Sequence, residues 1–452
     1  MLCLLCICSI LGGIEAKDIF SNKKHTSPLV SEYEWKYLDY LWLSPEQKLT
    51  YKNQGLYKRQ AMVPIDVDRS DDGRTFVTVP RSPGVPASLH TISDKFGESG
   101  PLLIPYPNWA TYQNSRACRG ITSVFRVTID RCNRLWVLDT GKLGDEYICP
   151  AQLVVYDLFT DKLISKMEIP DNVSRNRSGE GLLITPIIET HGENCNHPAV
   201  YMADVDGRGL IVWNDGRFVR VESPSFSPDA KYSNFSIAGE TFNLSDGIFG
   251  LALSPERYFK GNRFLFFRPL ASRSIYAVSV SDLKSSKHRH PDQMRFFGSN
   301  DVLSSQATAM TFSNDGILFY GLTEEMAIGC WNLDRTLLSK NLGIPLVDKQ
   351  KLQFVSGLKV VKSQHPHSKD NEQLLIFTNR FQRVMSGNQN FNEINFRILR
   401  APIKDLVRGT VCEDVDRFSW KNAETNQVQY HANDEDSITS VLPLLSSKTL
   451  IK

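Results

Sequence analysis

The chain has 452 residues, of which 41% are hydrophobic and 23% are charged. Its 52 Lys and Arg residues nearly balance its 50 Asp and Glu residues, and the formal net charge is +2. This mixture is typical of a globular protein, and the charge balance argues against a nucleic-acid partner, which ordinarily requires a basic surface.

The N-terminus carries a short apolar segment. Residues 1–13 read MLCLLCICSILGG, and a small residue follows at Ala16. A run of about a dozen apolar residues before a small residue is typical of a secretory signal peptide and is short for a membrane-spanning helix. No Lys or Arg precedes the run, which departs from the usual pattern. We predict a signal peptide over residues 1–16, a secreted, extracellular protein and no membrane partner.

Cysteines and sequons agree with this location. Six cysteines follow the signal segment, at positions 118, 132, 149, 195, 330 and 412. An even number in a secreted chain favours disulfides, and sequence alone leaves all 15 pairings possible. Four Asn-x-Ser/Thr sequons predict glycosylation, at Asn172, Asn176, Asn234 and Asn243.

Pairs of short β-type segments, each pair joined by a polar turn, recur along the chain. The pairs are 65–68 with 75–81, 125–130 with 135–139, 186–189 with 199–204, 250–254 with 263–269, 309–313 with 317–322, and 357–361 with 373–378. Third strands are expected at 153–157, 209–213, 274–278 and 328–331. The period of about 55–65 residues matches one four-stranded propeller blade with long loops. We predict an all-β fold, a single six-bladed β-propeller over residues 17–412.

The two ends of the chain are expected to close the ring. Residues 33–40 alternate like a strand and are predicted to lie beside residues 395–399, which completes the last blade and removes an exposed strand edge. Residues 413–452 are polar and unpatterned, and we predict a flexible tail there.

Several motifs resemble one known family. They are PLLIPYPNW at 101–109, RLWVLD at 134–139, DGIFG at 246–250, GCW at 329–331 and NFR at 395–397. Together they resemble the yellow/major royal jelly protein family over residues 33–413. The resemblance implies a secreted six-bladed propeller. It leaves the activity open, because the family includes dopachrome-converting enzymes, cuticle-pigmentation proteins, nutritive jelly proteins and salivary amine-binding proteins.

In a propeller, first strands begin and second strands end at one face, around the mouth of the central channel. First strands are expected to bring Thr122, Thr185, Asp246, Thr308 and Ser356 there. Second strands are expected to bring Arg81, Asp139, Asp204, Glu324, Asn379, Arg380 and Phe381. Carboxylates from several blades would then face an ammonium group or a proton-transfer step. The alternative is that the Asp residues cap strand ends by accepting hydrogen bonds from turn amides.

The segment Asn379-Arg380-Phe381 resembles the region where amine-binding members contact their ligand, and Ser356 lies where those members have a Thr. A Phe ring can stack on a catechol or indole, while the hydroxyl and amide groups contact its polar edge. The alternative is that Phe381 is buried between blades.

Histidine gives little support for a metal site. The pairs His288/His290 and His365/His367 lie in polar inserts predicted to be exposed loops, and His90 lies within a strand pattern and is expected in the core. No phosphate-binding loop, nucleophile elbow or Cys-x-x-Cys pair occurs after residue 16. We expect no metal and no cofactor.

The first functional hypothesis is an L-dopachrome tautomerase of melanin formation, an isomerase that needs a base and no redox cofactor. Asp139, Asp204 or Glu324 is the predicted base, and Arg81 or Arg380 is predicted to hold the substrate carboxylate. One alternative is a non-catalytic binder of biogenic amines. Another is a structural cuticle protein.

Strand order narrows the disulfide pairings. Cys132 and Cys195 both lie in turns between first and second strands of consecutive blades, on one face. Cys118 and Cys149 are expected at the opposite face, before the first and third strands of one blade. Cys330 and Cys412 remain. We therefore predict the pairs 118–149, 132–195 and 330–412.

Overall fold

A computed structural model describes residues 27–113, 117–285, 294–363 and 372–413. The predicted signal peptide, the predicted tail beyond Glu413 and the two histidine pairs lie outside these residues. Within them, six four-stranded antiparallel sheets are present, which confirms the predicted six-bladed β-propeller.

The strands in chain order are β1 (Val30–Trp35), β2 (Asp66–Arg69), β3 (Thr75–Thr78), β4 (Leu89–Gly97), β5 (Gly100–Pro105), β6 (Val124–Ile129), β7 (Arg134–Asp139), β8 (Lys142–Leu143), β9 (Glu146–Tyr147), β10 (Gln152–Asp157), β11 (Lys162–Glu168), β12 (Leu183–His191), β13 (Asn196–Asp204), β14 (Gly209–Asn214), β15 (Arg217–Glu222), β16 (Asn234–Ile237), β17 (Glu240–Asn243), β18 (Ile248–Leu253), β19 (Phe264–Pro269), β20 (Ile275–Ser279), β21 (Phe296–Ser299), β22 (Ala307–Phe312), β23 (Ile317–Leu322), β24 (Ala327–Asn332), β25 (Leu342–Val347), β26 (Phe354–Lys362), β27 (Glu372–Asn379) and β28 (Phe396–Pro402). Short helices connect them: α1 (Pro45–Asn53), α2 (Asp171–Ser174), α3 (Val280–Lys284), α4 (Phe381–Met385) and α5 (Ile403–Val407). Single turns of 3-10 helix occur at Arg59–Ala61, Trp109–Tyr112, Pro224–Phe226, Ala230–Tyr232, Phe259–Gly261 and Ser339–Asn341. No helix in the described ranges is long and apolar enough to cross a membrane.

From the channel outward, blade 1 is β2-β3-β4-β5, blade 2 is β6-β7-β10-β11, blade 3 is β12-β13-β14-β15, blade 4 is β18-β19-β20-β21, blade 5 is β22-β23-β24-β25, and blade 6 is β26-β27-β28-β1. The inner strands contact one another around the ring in the order β2, β6, β12, β18, β22, β26 and back to β2. The ring is therefore closed.

Closure uses both ends of the chain, as predicted. β1 pairs antiparallel with β28, with Tyr33 opposite Ile398 and Trp35 opposite Phe396. The Trp35 ring is fully buried, and its Nε1 donates a hydrogen bond to the Pro101 carbonyl at 2.7 Å, which ties the strand to blade 1. The strand was predicted at residues 33–40, and β1 begins and ends earlier than that. It ends at Trp35 because the chain then leaves β28, and Tyr40 forms a bridge with Leu103 of blade 1.

Side chains satisfy backbone groups that the inner strands leave unpaired between blades. The Asp66 carboxylate accepts a hydrogen bond from the Val127 amide at 3.2 Å, and the Asp68 carboxylate accepts one from the Ile129 amide at 2.8 Å. Four threonines donate to carbonyls of the next blade, namely Thr78, Thr128, Thr185 and Thr308. Buried backbone groups without partners are costly, so these contacts fix the blades to one another.

The three predicted disulfides are confirmed. Cys118–Cys149, Cys132–Cys195 and Cys330–Cys412 have Cα–Cα distances of 5.5, 6.3 and 6.2 Å. The bond between Cys330 and Cys412 ties the third strand of blade 5 to the chain segment after β28.

His90 is a core residue, as expected. It is buried, its Nδ1 lies 3.2 Å from the Val77 carbonyl oxygen, and burial lowers its pKa to about 3. Among the sequon residues, Asn172, Asn234 and Asn243 are exposed, while the Asn176 amide donates to Glu180 at 2.9 Å. Glycosylation at these positions stays a prediction.

Candidate ligand site at the mouth of the channel

The mouth face is defined here as the face where the inner strands begin and the second strands end. The predicted site residues lie at these strand ends and in the loops that follow them. Their side chains divide into groups bound within their own blade and groups that meet across blades.

Asp139 belongs to the first group. Its carboxylate is fully buried and accepts hydrogen bonds from the amides of Thr122, Ser123 and Gly141 at 2.7, 2.8 and 3.0 Å. The Gln152 side-chain amide donates a fourth bond at 2.8 Å. Burial raises the pKa of Asp139 although these donors favour the charged form. The contacts favour the strand-capping alternative for this residue.

Asp204 and Glu324 are likewise held locally. The buried Asp204 carboxylate accepts bonds from the Leu182 amide at 2.6 Å and from the Arg220 guanidinium at 2.8 Å. Glu324 is half-exposed and lies 3.6 Å from the Arg273 guanidinium. No contact among the described residues joins Asp139, Asp204 and Glu324 to one another.

The two predicted arginines also have protein partners. Arg81 donates from Nε to the Val85 carbonyl at 3.0 Å, and burial lowers its pKa. Arg380 is paired with Glu393. The catalytic roles of these residues stay predictions, and the geometry gives them structural contacts instead of a shared cavity.

Ser356, Asn379 and Phe381 do meet. The Asn379 side-chain amide donates to the Ser356 hydroxyl at 3.3 Å and to the Pro64 carbonyl at 3.0 Å, and its oxygen accepts the Phe381 amide at 3.0 Å. Both polar side chains are nearly inaccessible, with 1% and 2% exposure. They therefore fix the start of α4, where Phe381 is half-buried.

The β16–β17 hairpin covers part of the mouth, which the strand pattern did not indicate. Its Phe242 ring lies 5.8 Å from the Phe381 ring, and Phe354 lies on another side at 4.9 Å. The hairpin residue Ile237 is fully buried against this cluster together with Met326. The hairpin precedes blade 4 and contacts blades 5 and 6, so it crosses the mouth.

Arg126 lies on the inner strand of blade 2 and reaches across to other blades. Its guanidinium carbon lies 4.3 Å from the Phe249 ring centroid, and it donates to the Ser356 carbonyl at 3.0 Å. Burial lowers its pKa to about 10, opposed by the charges of Asp66 and Asp246. The only sequence signal for Arg126 is a charged residue inside a first strand that is apolar apart from Thr128.

Asp246 differs from the other mouth carboxylates. It is half-buried, and none of the described residues donates a side-chain or backbone hydrogen bond to its carboxylate. The pKa of Asp246 is raised to about 6, because burial and the neighbouring Asp206 raise it more than Arg126 lowers it. This carboxylate is therefore partly protonated near neutral pH and able to exchange a proton.

A cavity of about 410 Å³ includes in its wall Ser245, the chain neighbour of Asp246, and Asp206, whose charge acts on Asp246. Lys142 and Arg208 line it, with Asp206 lying 3.8 Å from the Lys142 ammonium. Tyr147 supplies an aromatic surface, with its hydroxyl donating to the Gly181 carbonyl at 2.6 Å. The cavity combines two cations, an aromatic ring and acidic groups, and its volume suits a small bicyclic molecule.

The described residues contain no group of three or more His, Cys, Asp and Glu side chains arranged to hold a metal ion. The side chains at the mouth offer binding, charge stabilisation and proton transfer.

Comparison with known proteins gives a clear family match. The sequence profile described as major royal jelly protein matches residues 122–412. Major royal jelly protein 9 of Apis mellifera is 41% identical over 389 residues, covering 85% of this chain and 90% of its own. Major royal jelly protein 6 of the same species is 34% identical over 440 residues, covering 95% and 97%. Virginiamycin B lyase from Staphylococcus aureus has a TM-score of 0.38 at 12% identity, covering 76% and 96%, which is too distant to bear on the site.

Proposed function

The chain belongs to the major royal jelly protein family, and from this premise and the geometry of the mouth face we propose that it isomerises L-dopachrome in melanin formation. The observation that carries the proposal is Asp246, a half-buried carboxylate with a pKa of about 6 that follows Ser245 in the wall of a cavity lined by two cations. A base is most effective when its pKa lies near the working pH.

The reaction balances without an oxidant. Asp246 takes the proton from the ring carbon beside the substrate carboxylate, and the electron pair of that C–H bond enters the quinonoid ring. One quinone oxygen gains a proton from solvent. The neighbouring ring carbon then loses a proton to solvent and the second quinone oxygen gains one, so a dihydroxyindole forms with its carboxylate retained and with the same atoms as the substrate. Lys142 and Arg208 hold the substrate carboxylate, while the Arg126 charge stabilises negative charge that develops on the ring.

Asp246 replaces Asp139, Asp204 and Glu324 as the preferred base for a physical reason. A carboxylate that accepts several amide hydrogen bonds, like Asp139, gains little by taking a proton and would break its strand cap. Asp246 has no such donors among the described residues.

We infer an extracellular location from the three disulfides, because such bonds persist in oxidising compartments. The predicted signal peptide supports the same location.

The test is loss of dopachrome colour with purified protein against a heat-treated control. We expect faster loss with the intact protein, at least a tenfold lower rate with Asp246→Asn, and an unchanged rate with Asp215→Asn. Asp215 lies in an exposed turn on the opposite face and serves as the matched control. A rate equal to that of the heated control would exclude the isomerase.

Binding of a biogenic amine is the second candidate, supported by the hydrogen bonds that bring Ser356, Asn379 and Phe381 together at the mouth face. Micromolar binding of serotonin or dopamine by calorimetry, without dopachrome conversion, would favour it. Absence of both activities would favour a structural cuticle role.

A further inference from the structure

A second cavity lies outside the propeller ring, on the outer side of blade 1. Its volume is about 970 Å³, more than twice that of the mouth cavity. The N-terminal segment builds it: residues 39–41 pair with β5 through the Leu41 amide and the Leu103 carbonyl at 2.9 Å, and α1 then folds back over the gap. We call it the outer pocket.

One wall of the outer pocket is aromatic and rigid. Trp42 stacks on Trp109 with a centroid distance of 5.1 Å and an interplanar angle of 24°. Tyr57 packs edge-on against Trp42 at 5.4 Å, and its buried hydroxyl donates to the Leu38 carbonyl at 2.8 Å. Fixed aromatic rings offer a contact surface whose ordering costs little on binding.

The opposite side carries an excess of positive charge. Lys48, Lys52, Lys58 and Arg59 line the pocket together with only two acidic residues, Asp39 and Glu98. Asp39 already pairs with Lys48 at 2.6 Å. Glu98 accepts the Tyr37 hydroxyl at 3.2 Å.

Three of the cations lack a carboxylate partner within the described ranges. Arg59 lies over the Tyr37 ring at 4.8 Å, while Lys52 and Lys58 extend at the exposed rim. An unbalanced cationic rim above an aromatic wall attracts a planar molecule with an acidic group and repels an ammonium ion.

We propose that the outer pocket binds a small aromatic acid, with its ring against Trp42 and Tyr57 and its acidic group at Lys52 and Lys58. This site is independent of the mouth cavity and of the proposed isomerase activity. Its ligand differs from a biogenic amine in the sign of its charge.

Three probes with the same ring system test the proposal by calorimetry: 2-naphthoate, 2-naphthamide and 2-naphthylmethylammonium. We expect 2-naphthoate to bind at least tenfold more tightly than the other two at low salt, and to weaken as salt is raised. Equal binding of the three probes, or no binding of 2-naphthoate, would overturn the proposal.

Variants locate the bound probe. Lys52→Gln/Lys58→Gln should weaken 2-naphthoate about tenfold and leave 2-naphthamide unchanged. Lys340→Gln/Lys349→Gln removes two exposed lysines near blade 5 and should change neither. Asp246→Asn should also leave 2-naphthoate binding unchanged. If Asp246→Asn alters binding and the Lys52/Lys58 pair does not, the probe binds at the mouth and the outer pocket is not its site.

Discussion

The Arg126 guanidinium stacks on the Phe249 ring at 4.3 Å, although the two residues belong to blades 2 and 4. The same guanidinium donates to the Ser356 carbonyl of blade 6 at 3.0 Å and reaches the Thr185 hydroxyl of blade 3 at 3.5 Å. This one side chain of blade 2 therefore contacts three other blades across the channel.

We predict that Arg126→Gln destabilises the fold by about 2–4 kcal/mol, because it removes the ring contact and leaves Asp66 and Asp246 with less compensating charge. Urea unfolding at pH 7 measures the change. Arg217→Gln, at an exposed position of β15, should stay within about 0.5 kcal/mol of the unchanged protein. Equal urea midpoints for Arg126→Gln and Arg217→Gln would contradict the proposal that Arg126 stabilises the contacts between blades.

Asp68 should make stability depend on pH. Burial raises its pKa to about 6, with Lys359 lowering it and Asp66 raising it. The unfolded value is about 3.9, so the stability that the protonated form contributes is complete below pH ~4 and is lost as the pH rises through about 6. Asn does not titrate. Relative to the unchanged protein, Asp68→Asn should gain up to about 3 kcal/mol between pH 4 and pH 7.

Urea unfolding of both proteins at pH 4, 5, 6 and 7 gives this difference directly. Other titrating groups cancel in the comparison. A difference that is constant across the series would show that Asp68 titrates normally in the fold.

Dopachrome conversion should depend on pH through Asp246. With a pKa of about 6, the base is protonated in acid, and the rate should fall about tenfold per pH unit below that value. In Asp246→Asn, the residual conversion rate should no longer fall as the pH is lowered. In Asp215→Asn, the rate should fall in acid as it does in the unchanged protein. The initial rate is followed by absorbance from pH 5 to 8, with the spontaneous rate subtracted at each pH. An acid limb that survives in Asp246→Asn would assign the base elsewhere.

Phe381→Ala should weaken binding of dopachrome or an aromatic amine by about 1–3 kcal/mol, because it removes the ring on which the ligand is predicted to stack. Phe354 and the hairpin residue Phe242 hold that ring in place. The fold should survive, since Phe381 is only half-buried. Phe159→Ala, at an exposed position of blade 2, is the control. If Phe381→Ala loses stability or is not secreted, and its affinity for the ligand is unchanged, Phe381 has only a packing role between blades.

The disulfides should differ in their contribution to stability. Cys330–Cys412 joins residues 82 apart in sequence and Cys118–Cys149 joins residues 31 apart. Since a longer closed loop restricts the unfolded chain more, Cys330→Ser/Cys412→Ser should cost about 1 kcal/mol more than Cys118→Ser/Cys149→Ser. Thermal and urea unfolding of the two double variants measure this order. The reverse order would show that native-state packing outweighs loop closure.

The sequence by itself determined the ring of six blades, its closure by β1 and β28, and the three disulfides. These follow from local patterns: apolar alternation marks each strand, polar turns mark its ends, and strand order places the cysteines on shared faces. The outer strands are harder to predict from the sequence. Most of β11 is exposed, so little apolar alternation distinguishes it from a loop.

Only the tertiary structure decided which mouth residues are available for chemistry. Asp139 and Asp246 look alike as carboxylates at strand ends, yet the first is enclosed by four donors and the second is not. The contact of Arg126 with Phe249 and the edge-on contact of Phe242 with Phe381 join residues more than 100 positions apart. Such contacts depend on how the closed ring brings distant strand ends together, and no local pattern of residues encodes that placement.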